Sequence, residues 1–269
     1  MREFHTTSSP RVRTAWPKLT LGVVAVFLAF DRAGAALDSG RGESGGLLAL
    51  LVLSLLVLVE ALLFGRRPKA ALAALGLGRP AARGLVIATA VSSLLAALMP
   101  LCVLAAGGDL GALLPGWPLL LLGMFLQHGV AEETLFRGFL FGHVREGRAF
   151  WPAAWRAMVP FAAAHAPLFL LMPAPVAAAA AALAVATSFP LSRLYDEGGR
   201  TIWAPAIVHT VINSVKLLDL NGSADIAVFA TLWTACAAAV PFLAFAVPHI
   251  LPRRLRHGET PRSSFTARR

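Results

Sequence analysis

Ala131-Glu132-Glu133-Thr134-Leu135-Phe136-Arg137 lies near the end of an apolar run that begins around Leu113. Two adjacent carboxylates and a guanidinium have no cheap place there. A charge at bilayer depth costs several kcal/mol or more unless it is paired or faces water. On a helix of about 100° per residue, Glu133 and Arg137 share a face at i, i+4, and Glu132 points roughly 100° away. The spacing predicts a division of labour in which Arg137 neutralises and holds Glu133 while Glu132 stays free for chemistry. His128, four residues before Glu132, is spaced to share its face. The plainer alternative is a structural ion pair that clamps helices together.

The sequence around this stretch explains why it is so apolar. The chain has 269 residues, 57% hydrophobic and 14% charged, with a mean hydropathy of +0.70. An average soluble domain carries about 25% charge. The balance is that of an all-α, polytopic integral membrane protein whose length fills about eight spans with short loops. The critical stretch falls in the fourth, about 117–141. Before it come spans at 19–30 (trailing to Leu37), 46–64 and 84–106, the last bent near Pro100. After it come about 156–172, 176–194, 202–218 and 226–250. The basic linker 65–83 holds a short interfacial helix near 70–77. Ala33-Gly34-Ala35 resembles a leader-cleavage site behind a basic region, but Asp31 and Arg32 interrupt the approach to it, so the first apolar run reads as a span. The chain then divides into a polar N-terminal tail (1–18), N-terminal transmembrane helices (19–106), a core (107–250) and a basic disordered tail (251–269).

The net charge of +10 does not point to nucleic acid, because the basic residues sit in loops and tails between apolar runs. Loops assigned to one side of the eight-span arrangement hold 20 Lys and Arg, and those on the other hold 2. That asymmetry predicts that both termini are cytoplasmic in the inner (plasma) membrane, with the basic residues against anionic lipid. Only Arg137 and Lys216 fall inside spans, and Lys216 is expected to snorkel or to pair with Asp219. Cys102 and Cys236 read as small buried hydrophobes, with no disulfide framework and no cysteine metal site.

With topology assigned, depth follows from a rise of about 1.5 Å per residue. Glu132 on the fourth span, His165 on the fifth and His209 on the seventh then lie at one level, about 13–15 Å from the cytoplasmic boundary. Asn213 follows His209 by one turn on the same face. A shared depth on separate helices is what a single site predicts. For each histidine alone, the alternative is a hydrogen bond between helices. Phe161, on the face of His165, reads as packing, and Pro160, Pro167 and Pro205 flank the histidine-bearing stretches.

The motifs E-E-x-x-x-R (Glu132, Glu133, Arg137), F-x-x-x-H (Phe161, His165) and H-x-x-x-N (His209, Asn213) stand in this order on separate spans. Together they resemble the family of type 2 CAAX prenyl proteases and bacteriocin-processing enzymes, the CPBP or Abi proteins, described as glutamic-type intramembrane proteases. The resemblance covers roughly 116–220. It implies an intramembrane endopeptidase with an active-site cavity, acting on a membrane-anchored peptide or protein. By the same resemblance, Glu132 with His165 activates water, His209 and Asn213 stabilise the oxyanion, and Glu133 and Arg137 support the first glutamate. Hydrolysis needs such a base and such donors. No cofactor is favoured. Were zinc bound, Glu132, His165 and His209 would be its ligands, although H-E-x-x-H is absent. The rival readings are a non-catalytic immunity or scaffold protein on the same fold and a transporter using the polar layer as a proton relay. The chain shows no internal repeat of the kind transporters carry.

Overall fold

The computed structural model describes residues 15–38, 42–109, 113–220 and 224–250. The tail at 251–269, and all but 15–18 of the tail at 1–18, lie outside the described residues. The elements in order are α1 (Ala15–Ala36), α2 (Gly45–Phe64), α3 (Pro68–Ala74), α4 (Ala82–Ala105) and α5 (Trp117–Met124). The α5 helix runs directly into two π-helical segments, π1 (Phe125–Glu132) and π2 (Thr134–Phe141), and then into α6 (Gly142–Arg145). There follow α7 (Phe150–Ala163), α8 (Leu168–Leu171), α9 (Ala174–Glu197) and α10 (Trp203–Asn213), which ends in a 3-10 turn, Ser214–Leu217. Last come α11 (Ile226–Ala239), a second 3-10 turn, Val240–Phe242, and α12 (Leu243–Ile250). The fold is all-α; among the described residues the only extended pairing is an isolated antiparallel bridge between Leu113 and Leu218.

Among the described residues, six helices are long and apolar enough to cross a membrane: Trp16–Ala36, Gly45–Phe64, Ala82–Ala105, Phe150–Leu171, Ala174–Glu197 and Ile226–Val247. They match six of the expected spans. The other two, the fourth and the seventh, are helical but depart from a plain span. The fourth is unbroken from Trp117 to Arg145 but widens into π geometry around the charged stretch. The seventh is short and tightens into a 3-10 turn just past Asn213. Both carry site residues, which fits the concentration of π segments at functional positions. The fifth span starts earlier than expected, at Phe150, and α7 stops at Ala163. A run of i→i+3 backbone bonds then carries the chain to α8, through His165 N to Ala162 O and Ala166 N to Ala163 O. Pro167 has no N–H and disfavours helical geometry at the residue before it. His165 therefore lies on a tight turn and not within a helix.

The apolar surface is shared between neighbours and lipid. On α2 the buried positions are Leu48, Ala49, Val52, Leu56 and Glu60, one face at helical spacing, while Leu47, Leu50, Leu58 and Leu62 face outward. Glu60 is fully buried on that inner face, and Arg66 reaches back to it at 2.8 Å. Gly65, in the left-handed region at φ 68°, turns the chain to allow this. Arg145 likewise pairs with Asp196 at 2.9 Å, so not every loop cation is left for lipid. The helix α1 packs into the interior through Leu19, Val23 and Val26.

Two apolar clusters make the core. One gathers α1, α2, the π segments and α7 around Phe136, Phe139, Phe141 and Phe161. The other gathers α4, α9, α10 and α11 around Val91, Leu95, Val208 and Trp233. They meet where π1 lies against α10. Gly129 sets that approach: a Cβ there would stand 2.8 Å from Thr210 Oγ1 and 3.1 Å from Ala206 O.

Candidate functional site

Where π1 meets α10, the polar residues of the fourth and seventh spans converge. Arg137 Nη1 donates to Glu133 Oε1 at 2.9 Å, as the i, i+4 spacing predicts, and the pair is almost wholly buried at 1% and 0% side-chain exposure. The same Oε1 also lies 2.6 Å from Nδ1 of His209. Glu133 thus joins the two helices, a contact that spacing within one segment does not reveal. Among the described residues, the other oxygen of Glu133 and Nη2 of Arg137 have no hydrogen-bond partner. The Arg137 guanidinium also covers the face of Phe161, 4.1 Å from the ring centroid. Phe161 does pack, as expected, and it also holds a cation and a histidine in place.

Glu132 is not free of contacts. Its Oε1 lies 2.6 Å from Nδ1 of His128, the residue one turn earlier. Its Oε2 faces His209, with Nε2 at 3.9 Å, too long for a direct hydrogen bond. His209 therefore stands between the two glutamates, one ring nitrogen toward each. Asn213 sits one turn on, its amide donating to His209 O at 3.1 Å, so it is oriented within its own helix.

His165 comes to the cluster from the turn after α7. Its Nδ1 lies 2.9 Å from Phe161 O. A carbonyl only accepts, so the ring proton is on Nδ1 and Nε2 carries a lone pair in the neutral ring. His165 is close enough to interact electrostatically with Glu132 and His209. Lys216 is the member that sequence reasoning placed elsewhere. Its Nζ lies 3.1 Å from Nε2 of His128, so the ammonium turns from the 3-10 turn toward the cluster. The signal available was its i+7 offset from His209, two turns along one face.

The zinc alternative needs three ligands at one point. Among the described residues no group of three or more His, Cys, Asp and Glu side chains is placed to hold a metal ion. Glu132 Oε1 is bound to His128, and its Oε2 stands nearly 4 Å from the nearer histidine nitrogen of the trio.

Residues 114–215 match the family model of the type II CAAX prenyl endopeptidases, Rce1-like. The match runs from just before α5 to the 3-10 turn after α10 and contains every motif residue. No curated protein and no solved structure matches the chain.

Proposed function

We propose that this chain, a CAAX-type peptidase of the Rce1-like type II family and a multi-pass membrane protein, works as a glutamate-based intramembrane endopeptidase. It cleaves a peptide bond near the end of a membrane-anchored peptide or protein. The observation that carries this reading is that Glu132 Oε2 and His209 Nε2 face each other at 3.9 Å, too long for a direct hydrogen bond. A water lying beside this pair and hydrogen-bonded to both atoms would meet a carboxylate and an imidazole at once.

In this mechanism Glu132 accepts a proton from water as its oxygen attacks the carbonyl carbon. The Nε2 lone pair of His165 takes part in that proton transfer. The carbonyl oxygen becomes an oxyanion and meets His209 Nε2–H and the remaining N–H of Asn213. For His209 to donate at Nε2, both ring nitrogens must carry protons, and Glu133 is the acceptor that binds Nδ1–H. The tetrahedral intermediate then breaks at C–N, and the proton held by Glu132 or His165 goes to the leaving amine. Arg137 and Phe161 hold Glu133 in place and do not touch substrate. No metal enters any step. The basic loops support an orientation with both termini cytoplasmic in the inner (plasma) membrane and the lipid bilayer as the enzyme's medium.

The test is cleavage of lipid-anchored peptides, prenylated and unprenylated, by the purified protein, comparing wild type with Glu132→Gln and adding a chelator. Glu132→Gln is expected to lower kcat by about 10³-fold with folding intact, within the range for loss of a general base, and the chelator to have no effect. Full activity in Glu132→Gln overturns the base assignment. Loss on chelation replaces it with a zinc mechanism.

A further inference from the structure

We propose that His128 and Lys216 are positioning residues that hold Glu132 as a carboxylate with one oxygen bound and the other open. This rests on the reading of Glu132 as the water-activating base. Neither residue belongs to the three motifs.

The argument is one of donors and acceptors. Lys216 Nζ is 3.1 Å from His128 Nε2, and His128 Nδ1 is 2.6 Å from Glu132 Oε1. An ammonium has three donors and no acceptor. The ring nitrogen it meets must present a lone pair, so the imidazole proton is on Nδ1. There it donates to Glu132 Oε1. The chain of bonds runs one way, from lysine through histidine to glutamate. A doubly protonated His128 would set N–H against N–H, and the Nε2–H tautomer would leave a lone pair facing the carboxylate.

The charges agree with this direction. Arg137 is engaged by Glu133, so it does not serve as the direct counter-ion of Glu132. Lys216 supplies a second positive charge, with a neutral imidazole between it and the carboxylate. The other groups facing this line are His209, whose ring centroid is 6.1 Å from that of His128, His165, which interacts with Glu132, and Glu43, which interacts with the ammonium. Holding Oε1 on Nδ1–H fixes the carboxylate plane and leaves Oε2 toward His209. Outer partners of this kind set the tautomer and orientation of the groups they touch.

Two readouts test it. In protein labelled with ¹⁵N-histidine and placed in bilayers, the His128 signal is the one lost in His128→Gln. Wild type is expected to show protonated Nδ1 and unprotonated Nε2. Lys216→Met is expected to lose that tautomer preference, and Lys216→Arg to keep it. In turnover, Lys216→Met lowers kcat about tenfold or more, the range seen when outer-shell partners are removed, while KM stays within about twofold; Lys216→Arg retains kcat. An Nε2-protonated or doubly protonated His128 in wild type, or an unchanged kcat in Lys216→Met, overturns the proposal. The tautomer is read without turnover, so failure of the Glu132 assignment shows separately, as activity retained in Glu132→Gln.

Discussion

Glu133 Oε1 lies 2.6 Å from His209 Nδ1, and through this contact the fourth span holds the seventh. The same oxygen binds Arg137. Replacing the carboxylate with an amide therefore leaves a buried guanidinium without its charge partner. Breaking a buried pair from one side costs about 3–5 kcal/mol. Glu133→Gln is expected to lose stability on that scale in thermal or denaturant unfolding in detergent. Glu132→Gln, whose side chain is 15% exposed, is expected to lose clearly less. Equal losses in the two variants would count against a bridging role for Glu133.

Gly129 tests the helix contact itself. In Gly129→Ala the new methyl meets Thr210 Oγ1 and Ala206 O on α10 and pushes π1 away from the helix that carries His209. A misplacement of about 1 Å costs roughly 100-fold in rate. The expected result is a kcat loss of about that size with a far smaller change in KM. Gly46→Ala, whose methyl would stand 3.7 Å from Leu126 Cδ1, is the control and retains activity.

His143, in the loop-facing turn α6, gives a pH dependence of stability. Burial pushes its imidazole below the ordinary histidine range, against the opposing hydrogen bond to Phe139 O. A histidine whose folded value is depressed takes up its proton more readily when unfolded. Its effect is absent above the unfolded value, near pH 6.5, and stability falls as pH drops below it. Arg66 Nη1, 3.0 Å from His143 Nε2, donates into the neutral ring and loses that bond on acidification. The unfolding midpoint is expected to drop between pH 7 and pH 5, and to drop less in His143→Gln.

The side assignment has its own check. Single cysteines at Arg79 and Gly147 are expected to react with an impermeant maleimide only from the cytoplasmic side. One at Asp109, exposed in the 107–116 loop, is expected to react only from the other side. Labelling of all three from one side would remove the positive-inside orientation.

The fold and the site were legible to different depths. Apolar runs gave the helices, because each must fill a bilayer and hide its backbone. The pairs Glu133–Arg137 and His128–Glu132 were legible because i, i+4 neighbours meet whatever surrounds them. His209 on Glu133 and Lys216 on His128 were not, because a sequence gives depth and face but not the rotation of one helix toward another. The π widening over 125–141 was also hidden; apolar patterning carries no mark that separates i→i+5 from i→i+4 bonding. Pro167 is plain in the sequence, yet its effect, a turn that presents His165 from outside a helix, depends on where α7 gives out. The i, i+4 spacing puts Asn213 on the face of His209, and its amide bond to His209 O follows from local geometry at the helix end.

The Leu113–Leu218 bridge, with Leu114 N donating to Leu217 O at 2.9 Å, has a mechanical consequence. It fastens the chain entering α5 to the chain leaving α10 at one end of the two helices that carry Glu132 and His209. Arg145 and Arg200 mark the opposite end. With the Glu133–His209 contact midway, the two helices are tied at a second level as well as at this tip. Lys216, two residues before the pinned Leu218, reaches His128 from beside this fastening.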